Sequence, residues 1–136
     1  MTFSTRSFVT MEGMVVMMHI NESAENYLET ILILSKTKPV VRSVDIAEEL
    51  GYKKSSVSVA MKNLREKEHI TVTREGFIYL TDTGKAIAEM IFERHRLLTQ
   101  WLVRLGVSPD TASDDACKIE HVISHESFEA IKKHIQ

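Results

Sequence analysis

Apolar residues recur at helical spacing over most of this chain, and the exceptions are as informative as the rule. Tyr27, Leu28, Ile31, Leu32 and Leu34 form one stripe, which predicts a helix from an N-cap at Ser23 to about Ser35. Val44, Ile46, Ala47 and Leu50 form a second, with Ser43 as its cap and Gly51 as its stop. Val57, Met61 and Leu64 mark a third helix beginning near Ser55, after the short turn Gly51-Tyr52-Lys53-Lys54. The period then changes. Ile70–Thr73 and Phe77–Leu80 are β-prone runs joined by Arg74-Glu75-Gly76, which reads as a hairpin. Thr81 or Asp82 caps a long helix carrying Ile87, Met90, Ile91, Leu97, Leu98, Trp101 and Leu102, stopped by Gly106. Pro109 opens another helix to about Ile123, and a last one starts near Glu126.

Three helices followed by a hairpin is the order of a winged helix-turn-helix, in which the second helix of the turn enters the DNA major groove. The fold class is therefore mainly α: a winged helix-turn-helix over residues 22–81, then a helical region over 82–136. Residues 1–21 read as an N-terminal extension. Five of the seven methionines lie in the first 18 residues, and Met17 or Met18 would serve as an alternative start. Residues 1–16 would then be an over-extended start or a poorly ordered tail. The apolar stretch at Gly13–Met18 is far too short for a membrane span.

With 43% hydrophobic and 26% charged residues the 136-residue chain is ordinary for a globular protein, and its lone cysteine favours a reducing, cytoplasmic setting. The formal net charge of −2 hides an asymmetry. Residues 53–74 carry six basic and two acidic side chains, +4, whereas residues 110–129 carry one basic and six acidic, −5. The basic segment coincides with the proposed reading helix. Lys53, Lys54, Ser55, Ser56, Ser58 and Lys62 are its candidate DNA contacts, the hydroxyls for close approach and the lysines for phosphate. Arg74 at the hairpin tip is placed to reach a neighbouring groove or the backbone. No aromatic residues are interleaved with these cations, which favours duplex DNA over single strands or RNA.

The acidic segment contains Cys117, Glu120 and His121 at i, i+3 and i+4, on one face of a helix. Thiolate, carboxylate and imidazole together suit a first-row transition metal. His95 is available to join them, as are Asn26 and Glu29, themselves at i and i+3. Spacing alone leaves open a buried structural cysteine and a solvated Glu-His pair.

Six blocks in order and spacing resemble the diphtheria toxin repressor family of metal-dependent transcriptional regulators, particularly its short manganese-regulator branch. They are Tyr27–Ile31, Ser43–Leu50, Ser55–Ser58, Leu80–Lys85, Arg94–Leu98 and Ala116–His121, within residues 22–135. The resemblance implies a homodimer that binds a divalent metal, Mn(II) or Fe(II), and then grips a palindromic operator. His95, Glu120 and His121 match positions that bind metal throughout the family, and Glu29 matches a carboxylate ligand of the manganese branch. Cys117 resembles the iron branch. Asn26 departs from the family's Asp or Met, and Thr99 and Ser113 stand where iron-branch proteins place ancillary Glu and His ligands. The apolar residues expected to serve dimerisation are Trp101, Leu102, Val122, Ile123 and Phe128, although Trp101 suits the core equally well. Two rival readings are a metal-independent winged-helix regulator, answering a small molecule or a redox signal through Cys117, and a small metalloenzyme using Cys117, Glu120 and His121. No oxyanion or substrate-binding motif supports the enzyme.

Overall fold

A computed structural model describes the backbone of residues 9–135 and the side chains of residues 22–135. The order is α1 (Val9–Ser35), α2 (Ser43–Leu50), α3 (Lys54–Glu66), β1 (Ile70–Val72), β2 (Ile78–Leu80), α4 (Asp82–Arg104), α5 (Pro109–Val122) and α6 (His125–Ile135). The fold is mainly helical, as the periodicity implies. One expectation fails at the start: α1 runs through Ser23 instead of beginning there. No proline interrupts residues 9–35, and Glu22, Ala24 and Glu25 around Ser23 are good helix formers, so the helix has no reason to stop. Residues 1–8 of the expected extension lie outside the described residues. Among the described residues, no helix is long and apolar enough to cross a membrane.

Residues Ala24–Glu93 form one compact unit and Arg94 onward a second, so α4 contributes to both. The first unit is centred on Leu28, Ile31, Val41, Ile46, Val57, Met61, Leu64, Ile70 and Ile78, all buried. Gly51 adopts φ 69°, a left-handed conformation that ends α2, and its N–H donates to the Ala47 carbonyl. At the other end of α2 the Asp45 carboxylate accepts the Arg42 N–H at 2.8 Å. Tyr27 meets Tyr52, on the turn between α2 and α3, edge to face with ring centroids 6.0 Å apart. Burial, followed by the nearby Tyr52 phenol, pushes the Tyr27 phenol above its ordinary pKa.

The two strands pair antiparallel in the register Ile70↔Leu80, Thr71↔Tyr79 and Val72↔Ile78. Ile78 is also held from its other side, donating its N–H to the Val41 carbonyl at 2.8 Å. At the tip Gly76 takes φ 88°, its N–H donates to the Thr73 carbonyl, and Thr73 Oγ1 accepts the Phe77 N–H at 3.0 Å. The Arg42 guanidinium lies 4.8 Å over the Phe77 ring, which braces the hairpin against the start of α2.

The chain leaves the hairpin through a tight junction. Thr81 donates its N–H to the His69 carbonyl and its hydroxyl to that of Glu68, and Thr81 Oγ1 accepts the Gly84 N–H at 3.2 Å, capping α4. Gly84 packs against the backbone of His69 so closely that a Cβ would collide with its carbonyl. Gly84→Ala is therefore expected to destabilise the first unit by about 1–3 kcal/mol, the usual range for forcing an added carbon into a packed site. Thermal unfolding, with the exposed Lys85→Ala as reference, measures it.

Candidate metal centre and nucleic-acid interface

In the second unit α5 begins with Pro109 at its first turn after Ser108, and α6 begins where Ser124 Oγ accepts the Ser127 N–H at 3.0 Å. Leu97, Leu98, Ala116 and Phe128 form the core, with Trp101, Ile119, Ile123 and Ile131 packed against it. Phe128 is buried in that core, and Trp101 and Ile123 are half-buried beside it; Val122, Val103 and Leu105 are the exposed apolar side chains of this unit. Leu102 is half-buried.

Glu120 is fully buried on α5. Among the described residues neither of its carboxylate oxygens accepts a hydrogen bond. Two imidazoles flank it instead: His95 Nδ1 from α4 stands 3.4 Å from one oxygen, and His121 Nε2 stands 3.7 Å from the other. An ionised carboxylate in such a place is costly unless a cation compensates it. Carboxylate oxygens and neutral imidazole nitrogens are also the donor types that first-row divalent metals accept. The donor set thus fits a divalent cation.

Neighbouring residues hold these candidate ligands in place. Arg94, buried and one residue before His95, donates through one Nη1 to the carbonyls of Glu120 and Ile123, each at 3.1 Å. Its guanidinium lies 5.4 Å over the Phe128 ring. A cation bonded to the last carbonyls of a helix complements the helix dipole and fixes where that end lies. Ser113 Oγ lies 3.4 Å from His95 Nε2, the ring nitrogen opposite the one facing Glu120. A hydroxyl there can orient the imidazole and select its tautomer.

Of the residues proposed as metal ligands, His95, Glu120 and His121 therefore converge in one unit. Cys117 lies one turn earlier on α5 and is exposed. Asn26, half-buried, and Glu29, buried, lie on α1 in the first unit. Sequence reasoning missed Arg94 as the clamp on α5 and Ser113 as the neighbour of His95. The first is readable only as an arginine beside a candidate ligand, and the second only as a departure from an ancillary ligand position of the iron branch.

On the DNA-reading side Lys53, Lys54, Ser55, Ser56, Ser58, Lys62 and Arg74 are all exposed. The buried side chains of α3, Val57, Met61 and Leu64, occupy the opposite face, so the hydroxyls and ammonium groups project together. Arg74 stands at the hairpin tip beside Gly76.

Comparison with known proteins finds two family regions in the chain. The profile of the "Iron dependent repressor, N-terminal DNA binding domain" matches residues 19–76, and that of the "Iron dependent repressor, metal binding and dimerisation domain" matches residues 81–136. The HTH-type transcriptional regulator MntR of Bacillus pumilus is 35% identical over 114 residues, covering 84% of this chain and 79% of that protein. MntR of Geobacillus thermodenitrificans is 34% identical over the same length, with 84% and 81% covered. A manganese-dependent transcriptional repressor solved in complex with manganese superposes with a TM-score of 0.76 at 30% identity. That match covers 82% of this chain, which spans about half, 52%, of the solved repressor. By its two matching regions, its relatives and its fold, this chain belongs to the diphtheria toxin repressor family of metal-dependent transcriptional regulators.

Proposed function

We propose that this protein is a homodimeric repressor that senses Mn(II) or Fe(II) and binds duplex operator DNA, most simply a palindrome, to control genes of metal-ion homeostasis. The observation that carries the reading is the buried, unbonded carboxylate of Glu120 between His95 and His121. Its companion is the exposed basic and serine-rich face of α3.

His95, Glu120 and His121 would hold the metal through two imidazoles and a carboxylate, and Asn26, Glu29 and Cys117 are proposed to complete the set. A bound divalent cation would give the buried Glu120 carboxylate, which accepts no hydrogen bond, a direct partner. Oxygen-rich ligation suits Mn(II), in keeping with the named manganese regulators among its relatives, while the thiol of Cys117 raises the standing of Fe(II). Ligands contributed by α1 and by α4–α5 would link the DNA-reading residues, 22–81, to the metal-binding residues, 82–136. Part of the ordering cost of gripping DNA would then be met before DNA arrives, which is positive coupling between the two ligands. For dimerisation the exposed Val122 and half-buried Leu102 offer contact surface, while Trp101, Ile123 and Phe128 support it from the core side.

The test is a titration of operator affinity against Mn(II) and Fe(II) at fixed salt. Metal is expected to tighten binding by about 5–150-fold, the usual span of allosteric coupling. Glu120→Gln should abolish that response and leave weak, metal-independent binding. Equal affinity with and without metal in the wild-type protein would contradict the reading.

Lys62→Ala separates the two functions. It is expected to weaken DNA binding on every sequence, to lower the salt dependence of binding by about one unit of slope, and to leave metal affinity unchanged. Anisotropy titrations at several salt concentrations, paired with metal-binding isotherms, give both readouts.

A further inference from the structure

Val59 is the most exposed large apolar residue of the first unit, at 60% against 46% for Tyr52 and Tyr79. It lies on α3 two residues from both Val57 and Met61, so it points about 200° away from the buried face. The residues one turn to either side are Ser55 and Ser56 before it and Lys62 and Asn63 after it, and all four are exposed. Nothing in the fold asks for a valine there. A β-branched side chain on an open helix face costs about 0.5 kcal/mol relative to alanine, and leaving it in water gains nothing.

The chemistry of the position narrows what it meets. Valine carries no donor and no acceptor, so it makes no hydrogen bond to a base edge or a phosphate. Its neighbours are hydroxyl, ammonium and amide groups, with Lys53, Lys54 and Arg65 on the same exposed helix region, which is a setting for a polyanion and not for an apolar protein surface. In the major groove the one apolar group that base pairs present is the C5-methyl of thymine. We propose that Val59 is a specificity residue of the DNA-reading helix, packing its two methyl groups against the C5-methyl of one thymine in each operator half-site. This rests on the reading of α3 as the major-groove helix and adds which base it selects and by what contact.

Uracil lacks only that methyl, so exchanging dT for dU tests the contact directly. Full-length protein loaded with Mn(II) selects its site from a randomised duplex pool, and each dT of the selected site is then replaced by dU in turn. The wild-type protein is expected to lose about fourfold in affinity at one thymine per half-site, the equivalent of one methyl group's burial. Val59→Ala, which alters both subunits of the dimer, should bind the unmodified site about as weakly as the wild type binds a site carrying dU at that position in both half-sites, and should be indifferent to dU there. Val59→Thr, equal in shape with a hydroxyl in place of one methyl, should keep only part of the preference for dT through its remaining methyl, and it serves if the alanine variant folds poorly. Wild-type affinity in Val59→Ala, or an undiminished response to dU at every position, would overturn the thymine contact while leaving the DNA-reading helix intact. Failure to select any duplex would overturn the DNA-reading assignment itself, and this inference with it.

Discussion

A carboxylate placed in a protein interior without a hydrogen bond is costly, and Glu120 is that group here. Its surroundings are ordered around the charge. His95 and His121 approach its two oxygens from α4 and α5, and Ser113 lies on the far side of the His95 ring. A site built for stability alone would place N–H donors on those oxygens or replace the acid with an apolar side chain. Under the proposed function that cost has a use, because a bound ion would gain most where the protein leaves the carboxylate without a hydrogen bond.

That arrangement needs a rigid frame, and Arg94 supplies a large part of it. By donating to the carbonyls of Glu120 and Ile123 and lying over Phe128, it ties the end of α5 to α4 and to the start of α6. His95 follows Arg94 directly on α4, so one short stretch of helix provides both a candidate ligand and the clamp that holds the end of α5. The acidic and basic halves of the chain have different meanings in this light. The −5 segment contains the helix of the candidate metal ligands, the +4 segment contains the proposed reading helix, and their near cancellation in a net charge of −2 conceals the asymmetry.

Much of the fold is legible because local chemistry agrees with it. Gly51, Gly76 and Gly106 stand where the chain takes positive φ, and apolar spacing locates α2, α3, α4 and the second half of α1. Ser23 misleads because a serine that can cap a helix does so only where the preceding residues cannot continue it. The metal centre is legible only in part. The spacing of Glu120 and His121 puts both on one helix face, but their burial and the approach of His95 depend on packing among residues far apart in the chain. The same spacing groups Cys117 with them, yet it is exposed, since a face wide enough for i, i+3 and i+4 extends from the core to its rim. Phe128 illustrates the converse: an aromatic residue that looks available for a partner is consumed by the core and by Arg94.

The most direct test of the central claim compares unfolding of the wild-type protein and Glu120→Gln in chelator and in saturating Mn(II). Replacing a buried carboxylate that accepts no hydrogen bond should leave the metal-free variant at least as stable as the wild type. Manganese should stabilise the wild type alone, by about 2.7 kcal/mol at a hundred times its dissociation constant. A variant that is much less stable without metal, yet gains as much from manganese as the wild type does, would contradict the claim that Glu120 is held in readiness for the ion.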